Sequence, residues 1–357
     1  MRTNKIVVAL DAMGGDYAPT IVIDGANKAL LQQKRNNPEL SIEYMIFGDK
    51  AVLDPLVDKL PELKKASILI HSEHKIASDD KPSYAVRNSK NTSMGMAINA
   101  VKQQQAHAVV SSGNTGALMA ISKITLKTLP GINRPAIIGL FPTITGKIAA
   151  LDLGANAECE ATNLVQFAIM GDAFAKVILN KSEPKIALLN IGSEDIKGNE
   201  TIKSAALMLN EQDCLNFTGY IEADDIVRGV ADVVVADGFS GNIAIKMAEG
   251  TAFLCRTLLG EAFRSSWVAK LGYLFAKKAI KTAFKNIDGR YYNGAMLIGL
   301  NGVVVKSHGG ADAVAFANAV EVAIELSRNN INQKIIQEIN ILQQHIIPNK
   351  VLVTDRV

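Results

Sequence analysis

The stretch that decides the fold opens the chain: Ile6-Val7-Val8-Ala9-Leu10 runs into Asp11-Ala12-Met13-Gly14-Gly15-Asp16. This apolar run is too short for a helix and ends in small and acidic residues, so it reads as a strand buried on both faces. A helix-like stretch follows. The arrangement recurs four times. Ala108 to Val110 leads into Ser111-Ser112-Gly113-Asn114-Thr115-Gly116, and Ile148 to Leu151 into Asp152-Leu153-Gly154-Ala155-Asn156. Ile186 to Leu189 leads into Asn190-Ile191-Gly192-Ser193-Glu194, and Val233 to Ala236 into Asp237-Gly238-Phe239-Ser240-Gly241-Asn242. Strands that are apolar throughout and separated by helices predict an α/β fold with a mainly parallel sheet covered on both faces. Ligands of such sheets sit beyond the carboxyl ends of the strands, so the five turns are expected to gather on one rim.

The composition narrows the class. At about 150 residues per domain, 357 residues amount to two domains' worth of chain or one large α/β unit. With 48% hydrophobic and 20% charged residues the chain is globular, which excludes disordered, fibrous and low-complexity readings. Its 38 basic and 35 acidic residues leave a net charge of +3, which as an average argues for no nucleic-acid partner. Cys159, Cys214 and Cys255 are far apart and odd in number, so neither a disulfide framework nor a zinc ribbon fits and a reducing cytoplasm is expected. No signal-peptide core follows Met1, and no uncharged apolar run reaches about 18 residues, so neither secretion nor a spanning helix is expected.

Missing motifs restrict the ligand. No two glycines are separated by a single residue, which removes the dinucleotide fingerprint, and no Gly-Lys closes a Walker A loop. The histidines His71, His74, His107, His308 and His345 have no metal-site spacing, so neither metal nor cofactor is expected. What remains is backbone N–H groups at helix amino ends beside small residues. That suits a phosphate with no nucleotide attached.

A few side chains add chemistry. Lys197, just past the fourth turn, reads either as a surface lysine or as a cation facing the rim. Asn242 reads as a helix N-cap or, with Ser240, as a donor to a substrate oxygen. His308 follows another apolar block, Val303 to Val305, and is balanced between a structural and a site residue. Cys159 has no histidine near it in sequence and reads as a small buried residue rather than a nucleophile.

In these blocks the chain resembles the bacterial phosphate acyltransferase family, the acyl-ACP:phosphate transacylases known as PlsX. The matching segments are Leu10 to Asp16, Ser112 to Met119, Asp152 to Asn156, Asn190 to Gly192 with Lys197-Gly198, Asp237 to Asn242, and Tyr292 to Ala295 through Lys306 to Gly309. They run colinearly over residues 5 to 325. The resemblance implies a Rossmann-like three-layer α/β/α fold, related to the isocitrate and isopropylmalate dehydrogenases and to phosphotransacetylases, and a homodimer. It implies transfer of a fatty acyl group from acyl carrier protein to inorganic phosphate, giving acyl phosphate for phospholipid synthesis. It also implies a link to the downstream glycerol-3-phosphate acyltransferase.

Catalysis is expected from Lys197, holding phosphate or developing negative charge, and from Asn242, donating to the thioester oxygen. Asp11, Gly14, Gly15, Gly113, Asn114, Thr115, Gly116, Asn156, Gly238, Ser240, Gly241 and His308 are expected to line the phosphate and substrate site. Two other readings stay open: a phosphotransacetylase acting on short-chain acyl-CoA, and a membrane-docked scaffold without turnover.

One segment stands apart. Between Arg264 and Arg290 seven basic residues face one acid, Asp288, a local charge of +6 that leaves −3 for the rest of the chain. Trp267, Leu271, Tyr273, Leu274, Phe275 and Phe284 are interleaved with them. Three readings compete: a helical face on a dimer partner, a docking site for acidic acyl carrier protein, and an interfacial anchor on an anionic membrane. The family's membrane association favours the anchor, with Trp267, Lys270, Leu274, Phe275, Lys277, Lys278 and Lys281 as contacts, on the cytoplasmic face of the cell membrane. The chain therefore divides into one α/β unit, residues 1–330, carrying a basic apolar helical segment at 264–290, and a tail, 331–357, with no assigned role.

Overall fold

A computed structural model describes residues 5–212, 214–285 and 288–346, apart from the side chains of 281, 283–285 and 342–346. The strands are β1 (Lys5–Asp11), β2 (Ser41–Gly48), β3 (Ser67–His71), β4 (Ala108–Ser111), β5 (Ala136–Thr143) and β6 (Gly146–Leu151). They continue with β7 (Ile186–Leu189), β8 (Phe217–Ile221), β9 (Val233–Val235), β10 (Ala295–Ile298) and β11 (Val303–Lys306). Among the described residues they form one sheet in the order β3-β2-β1-β4-β11-β10-β5-β6-β9-β7-β8. All five sequence-predicted strands are present, each with a helix after its turn.

The sheet is mainly parallel, but it consists of two blocks. In β3-β2-β1-β4-β11 every pairing is parallel, as it is in β6-β9-β7-β8. Between them β10 is antiparallel to both β11 and β5, and β5 is antiparallel to β6. Counting reversals across β11-β10-β5-β6, the two blocks run in opposite directions. The expected single rim is therefore two rims, one beyond β1 and β4, the other beyond β6, β7 and β9. A repeated strand-turn-helix pattern carries no record of strand direction, and the three reversals come from two hairpins, β10-β11 and β5-β6, and from the antiparallel pairing of β10 with the distant β5, none of which the pattern includes.

A stagger brings the rims back together. The register aligns Asp11, Ser111, Lys306 and Ala295 across β1, β4, β11 and β10. A Cβ built on Gly139 of β5 would lie 3.8 Å from the Ala295 Cβ, and Gly139 pairs with Ala150 of β6. Asp152 comes two residues after Ala150, about 7 Å along the strand. Both blocks thus end at nearly the same level of the sheet.

Alternation along the strands sends successive side chains to opposite faces. On one face Leu10, Val110, Val305, Ile138, Leu151 and Val235 belong to a single apolar layer spanning the whole sheet. Helices Thr20–Asn36, Ala161–Phe174 and Ala313–Arg328 cover it, with Phe167, Phe174 and Phe316 fully buried. Burial of each such ring stabilises the fold by about 1.5–3 kcal/mol. Contact there is close, since a Cβ on Gly171 would stand 2.5 Å from Val233 Cγ1. The Ala161–Leu179 stretch is long and apolar enough to cross a bilayer, but it is mostly buried as this core helix.

The other face is split. Ala9, Val109, Val304 and Leu297 form one layer under helices Ser93–Lys102 and Thr115–Leu126. Ala150, Ala187 and Val234 form another with Ile226 and Ile245. Leu153, at the end of β6, packs against both. This division of one face marks where the two blocks meet.

The α/β body extends past residue 330. Helix Ile331–Ile346 buries Ile331, Ile335 and Ile339 in the continuous layer, and Glu338 pairs with Lys176 at 3.1 Å. Residues 347–357 of the expected tail lie outside the described residues.

Candidate functional site

The rim beyond β1 and β4 is built on a buried carboxylate. Asp11 ends β1 and is 1% exposed. Its Oδ1 accepts from Ser93 Oγ at 2.6 Å and from the Met13 N–H, and its Oδ2 accepts from Ser111 Oγ at 2.7 Å. Burial pushes this carboxyl's pKa up, against those hydrogen bonds. With its oxygens occupied, Asp11 braces the loop rather than facing an anion. The glycines around it are explained by close loop contacts. A Cβ on Gly14 would meet Asp11 Oδ2 at 2.5 Å and the Gly113 nitrogen at 2.8 Å. Gly15, at φ +104°, lies against Ser112, whose Oγ donates to the Gly14 carbonyl.

Asn114 caps helix Thr115–Leu126, accepting from the Ala117 N–H, while its amide donates to the Ser78 and Asp80 carbonyls. That side chain is committed to the fold, which leaves Thr115 and Gly116 as the first-turn residues of the helix. His308 is exposed; its N–H donates to Asn293 Oδ1, and its ring Nδ1 accepts from the Gly310 N–H.

The second rim has its own buried carboxylate. Asp152 is fully buried and accepts from the N–H groups of Ile137, Ala155 and Asn156 and from Asn156 Nδ2, at 2.7–3.0 Å. Asn156 also donates to the Pro135 carbonyl at 2.8 Å, so its side chain is spent on holding the loop. Helix Gly238–Arg264 docks on this loop: the Gly238 N–H donates to the Asn156 carbonyl at 2.7 Å, and a Cβ on Gly241 would collide with the Asp152 carbonyl oxygen.

The cap of that helix is Asp237, whose carboxylate accepts from the Ser240 N–H and hydroxyl. The N-cap reading of Asn242 is thereby corrected. Asn242 sits one turn into the helix, exposed, 3.6 Å from the position a Gly154 Cβ would take, and its amide has no hydrogen-bond partner among the described residues. Ser240 is the reverse case, with its hydroxyl held by Asp237. Cys159 donates toward the Asn156 carbonyl, and burial together with Asp152 pushes its thiol up to about 11. A thiol so protonated is a poor nucleophile.

Lys197 lies beyond β7, on the same rim. Asn190 follows that strand directly, and its Nδ2 donates to the Lys197 carbonyl at 3.3 Å. The Lys197 N–H closes a turn onto the Glu194 carbonyl, and Gly198, at φ +86°, has no room for a Cβ against Asn190. The Lys197 side chain is exposed and forms no ion pair among the described residues. Lys197 and Asn242, expected together from the sequence, are thus both unengaged among the described residues, whereas Asp152, Asn156, Asn190, Asp237 and Ser240 on the same rim serve the loops. Sequence reading missed the bracing residues Ser93, Ser111 and Asp152. An acid closing an apolar run, present at Asp11 and Asp152 alike, was the available signal.

The basic segment is one arm of an extended helical hairpin that begins earlier than expected, at Gly238. Helix Gly238–Arg264 buries only Gly238 and Gly241, and leaves Phe239, Ile243, Met247, Leu254 and Leu258 exposed along one side. Trp267–Lys285 returns beside it, with the Phe263 and Tyr273 rings 5.2 Å apart. Trp267, Leu274 and Phe275 are 73%, 67% and 83% exposed. Lys270, Lys277 and Lys278 are exposed as well, and the Lys281 side chain lies outside the described residues.

A family model described as "Fatty acid synthesis protein" matches residues 6–334. A phosphate acyltransferase of Rhodospirillum centenum is 50% identical over 342 residues, covering 96% of this chain and 95% of that protein. The phosphate acyltransferase of Rhodospirillum rubrum is 46% identical over 356 residues, 99% of this chain and all of that protein. Among solved structures, a phosphotransacetylase from Streptococcus pyogenes shares the fold with a TM-score of 0.59 at 20% identity, covering 90% of this chain and 94% of that one.

Proposed function

The chain belongs to the phosphate acyltransferase family, and on that premise we propose how its residues carry out the transfer. The protein is an acyltransferase that moves an acyl group from acyl carrier protein to inorganic phosphate, forming acyl phosphate for lipid synthesis. Phosphate is a competent nucleophile near neutral pH, and a thiol of pKa about 8.5 leaves readily as thiolate. A phosphate oxygen attacks the thioester carbonyl carbon, the carbonyl oxygen becomes an oxyanion, and collapse breaks the C–S bond to release the carrier thiolate. Such chemistry needs positioning and charge stabilisation more than proton transfer.

The observation that carries the reading is the unengaged pair on the Asp152 rim. Lys197 holds the phosphate or its developing charge, and Asn242 donates to the oxyanion. The loops braced by Asp11 and Asp152 hold the surrounding backbone at fixed positions. The relationship of the fold to isocitrate and isopropylmalate dehydrogenases belongs to the same reading, supported by the large mainly parallel sheet. The test is to incubate the protein with palmitoyl-acyl carrier protein or acetyl-CoA, with and without phosphate, and to measure acyl phosphate. Phosphate-dependent product from the carrier substrate is expected. Product from acetyl-CoA alone would transfer the assignment to a phosphotransacetylase, and none from either would leave a scaffold.

The hairpin completes the proposal. Its exposed apolar side on Gly238–Arg264 pairs with a second copy of the chain, and the basic, aromatic second arm rests on an anionic membrane from the cytoplasmic side. Supporting this are the unburied apolar residues of both arms and the lysines between them. Binding to anionic vesicles that persists after Trp267, Leu274 and Phe275 are all replaced by Ala would remove the membrane contact.

A further inference from the structure

Lys306 is the last residue of β11, and none of the chemistry above uses it. Its register partners are Ser111 of β4 and Ala295 of β10. Val304, two residues earlier, faces the split side of the sheet, so Lys306 faces that side too. Ser111 and Asp11 stand in the same row, and beyond Ala295 come Gly139 and then Leu153, whose Cδ1 is 3.0 Å from the position of a Gly139 Cβ. Lys306 therefore rises where the two blocks meet, beside a floor of two small residues.

The ammonium is partly buried and makes no ion pair among the described residues. It donates a hydrogen bond to the carbonyl oxygen of Ser307, the adjacent residue. Asp11, the nearest buried acid by sequence register, has its oxygens taken by Ser93, Ser111 and Met13. A cation withdrawn from water without a partner costs stability, and an anionic ligand is what would offset that cost. Burial holds the ammonium down at about 8 against the upward pull of Asp11 and Asp16, which agrees with a cation short of counter-charge.

We propose that Lys306 binds the inorganic phosphate, its ammonium meeting a phosphate oxygen on the split face between the Gly14, Gly15 and Gly113 loops and the Leu153-Gly154 loop that touches Asn242. The identity of the anion rests on the acyl-transfer reading above. Lys306 gives the Asp11 rim a cation of its own, so the phosphate is met from both blocks, by Lys306 on one and Lys197 on the other, while Asn242 serves the thioester oxygen.

The experiment compares wild type, Lys306→Met and Lys306→Arg as full-length protein, reading thermal stability against added inorganic phosphate and steady-state kinetics with acyl carrier protein substrate. Wild type should gain Tm with phosphate and Lys306→Met should not, whereas Lys306→Arg, which keeps the charge, should retain a gain. The KM for phosphate should rise about tenfold or more in Lys306→Met, with a smaller change in the KM for the carrier substrate. If Lys306→Met does not fold, Lys306→Gln serves in its place. A phosphate-dependent gain in Tm as large in the neutral variant as in wild type overturns the proposal. Wild type that binds phosphate through Lys306 yet forms no acyl phosphate sinks the reaction and leaves the site standing. Turnover with an unchanged phosphate KM in Lys306→Met does the opposite.

Discussion

The two rims solve one structural problem with different chemistry. Each ends a central strand in a buried aspartate, Asp11 or Asp152, that gathers the following loop. Asp11 is held largely by hydroxyls, those of Ser93 and Ser111, and each hydroxyl can donate or accept. Asp152 is held only by N–H groups, three from the backbone and one from the Asn156 amide, and none of these can reverse its role. The Asp152 loop is accordingly the more rigidly specified, and it is the one beside which the unengaged Asn242 stands. The Asp11 rim is the more adaptable, and the cation it offers, without an ion pair among the described residues, is Lys306 rather than any residue of its glycine turns.

The largest test of this division is catalytic. Lys197→Ala and Asn242→Ala should remain folded while losing acyl phosphate formation by about two orders of magnitude or more, the usual cost of a removed oxyanion donor. Near wild-type turnover in both would take the chemistry away from the Asp152 rim.

Next comes pH. With the Lys306 ammonium held down at about 8 by burial, under the opposing pull of Asp11 and Asp16, the KM for phosphate should be flat below that pH. Above it the KM should climb about tenfold per pH unit as the charge is lost. Between about 8 and the ordinary 10.5 the unfolded chain binds the extra proton, so this group alone makes the unliganded fold more stable as pH rises. A phosphate KM that is constant from pH 7 to 10 would contradict the assignment.

The braces themselves can be compared by one substitution each. Asp152→Asn places an amide nitrogen against N–H donors and should cost about 2–4 kcal/mol in denaturant unfolding, whereas Asp11→Asn can donate to a rotated hydroxyl and should cost about 1 kcal/mol or less. Equal costs would mean that the difference in donor type is irrelevant.

The smallest effects lie on one helix. Gly241→Ala drives a methyl into the Asp152 carbonyl and should destabilise by about 1–3 kcal/mol. Gly250→Ala, farther along with open space around it, should stabilise by about 0.5–1 kcal/mol, as read from Tm.

Much of this was written in local sequence. The five predicted strands match the observed ones within a residue or two, because an apolar run too short for a helix and closed by Asp, Asn or Ser at the start of a Gly-containing turn fits a buried strand. The segments that carry the family resemblance also contain both residues expected to be catalytic. Less legible were features settled by which of several candidate groups takes a role, or by packing against distant segments. Asn242 reads as either a cap or a donor until Asp237 takes the Ser240 N–H, and the residues after 330 read as a tail although Ile331, Ile335 and Ile339 lie in the core. Likewise the basic window at 264–290 was legible as a charge anomaly, but not as one arm of a hairpin whose first arm is equally exposed.

The sequence by itself determined the repeating strand-turn-helix units, the absence of nucleotide and metal motifs, and the family. Only the tertiary structure decided that the strands form two opposed, staggered blocks and that the carboxyl ends meet across a split face. Apolar periodicity records which residues must leave water, and it is unchanged when a strand is reversed. Direction, stagger and the position of Lys306 depend on pairings between strands as far apart in the chain as β4 and β11, which no local pattern contains.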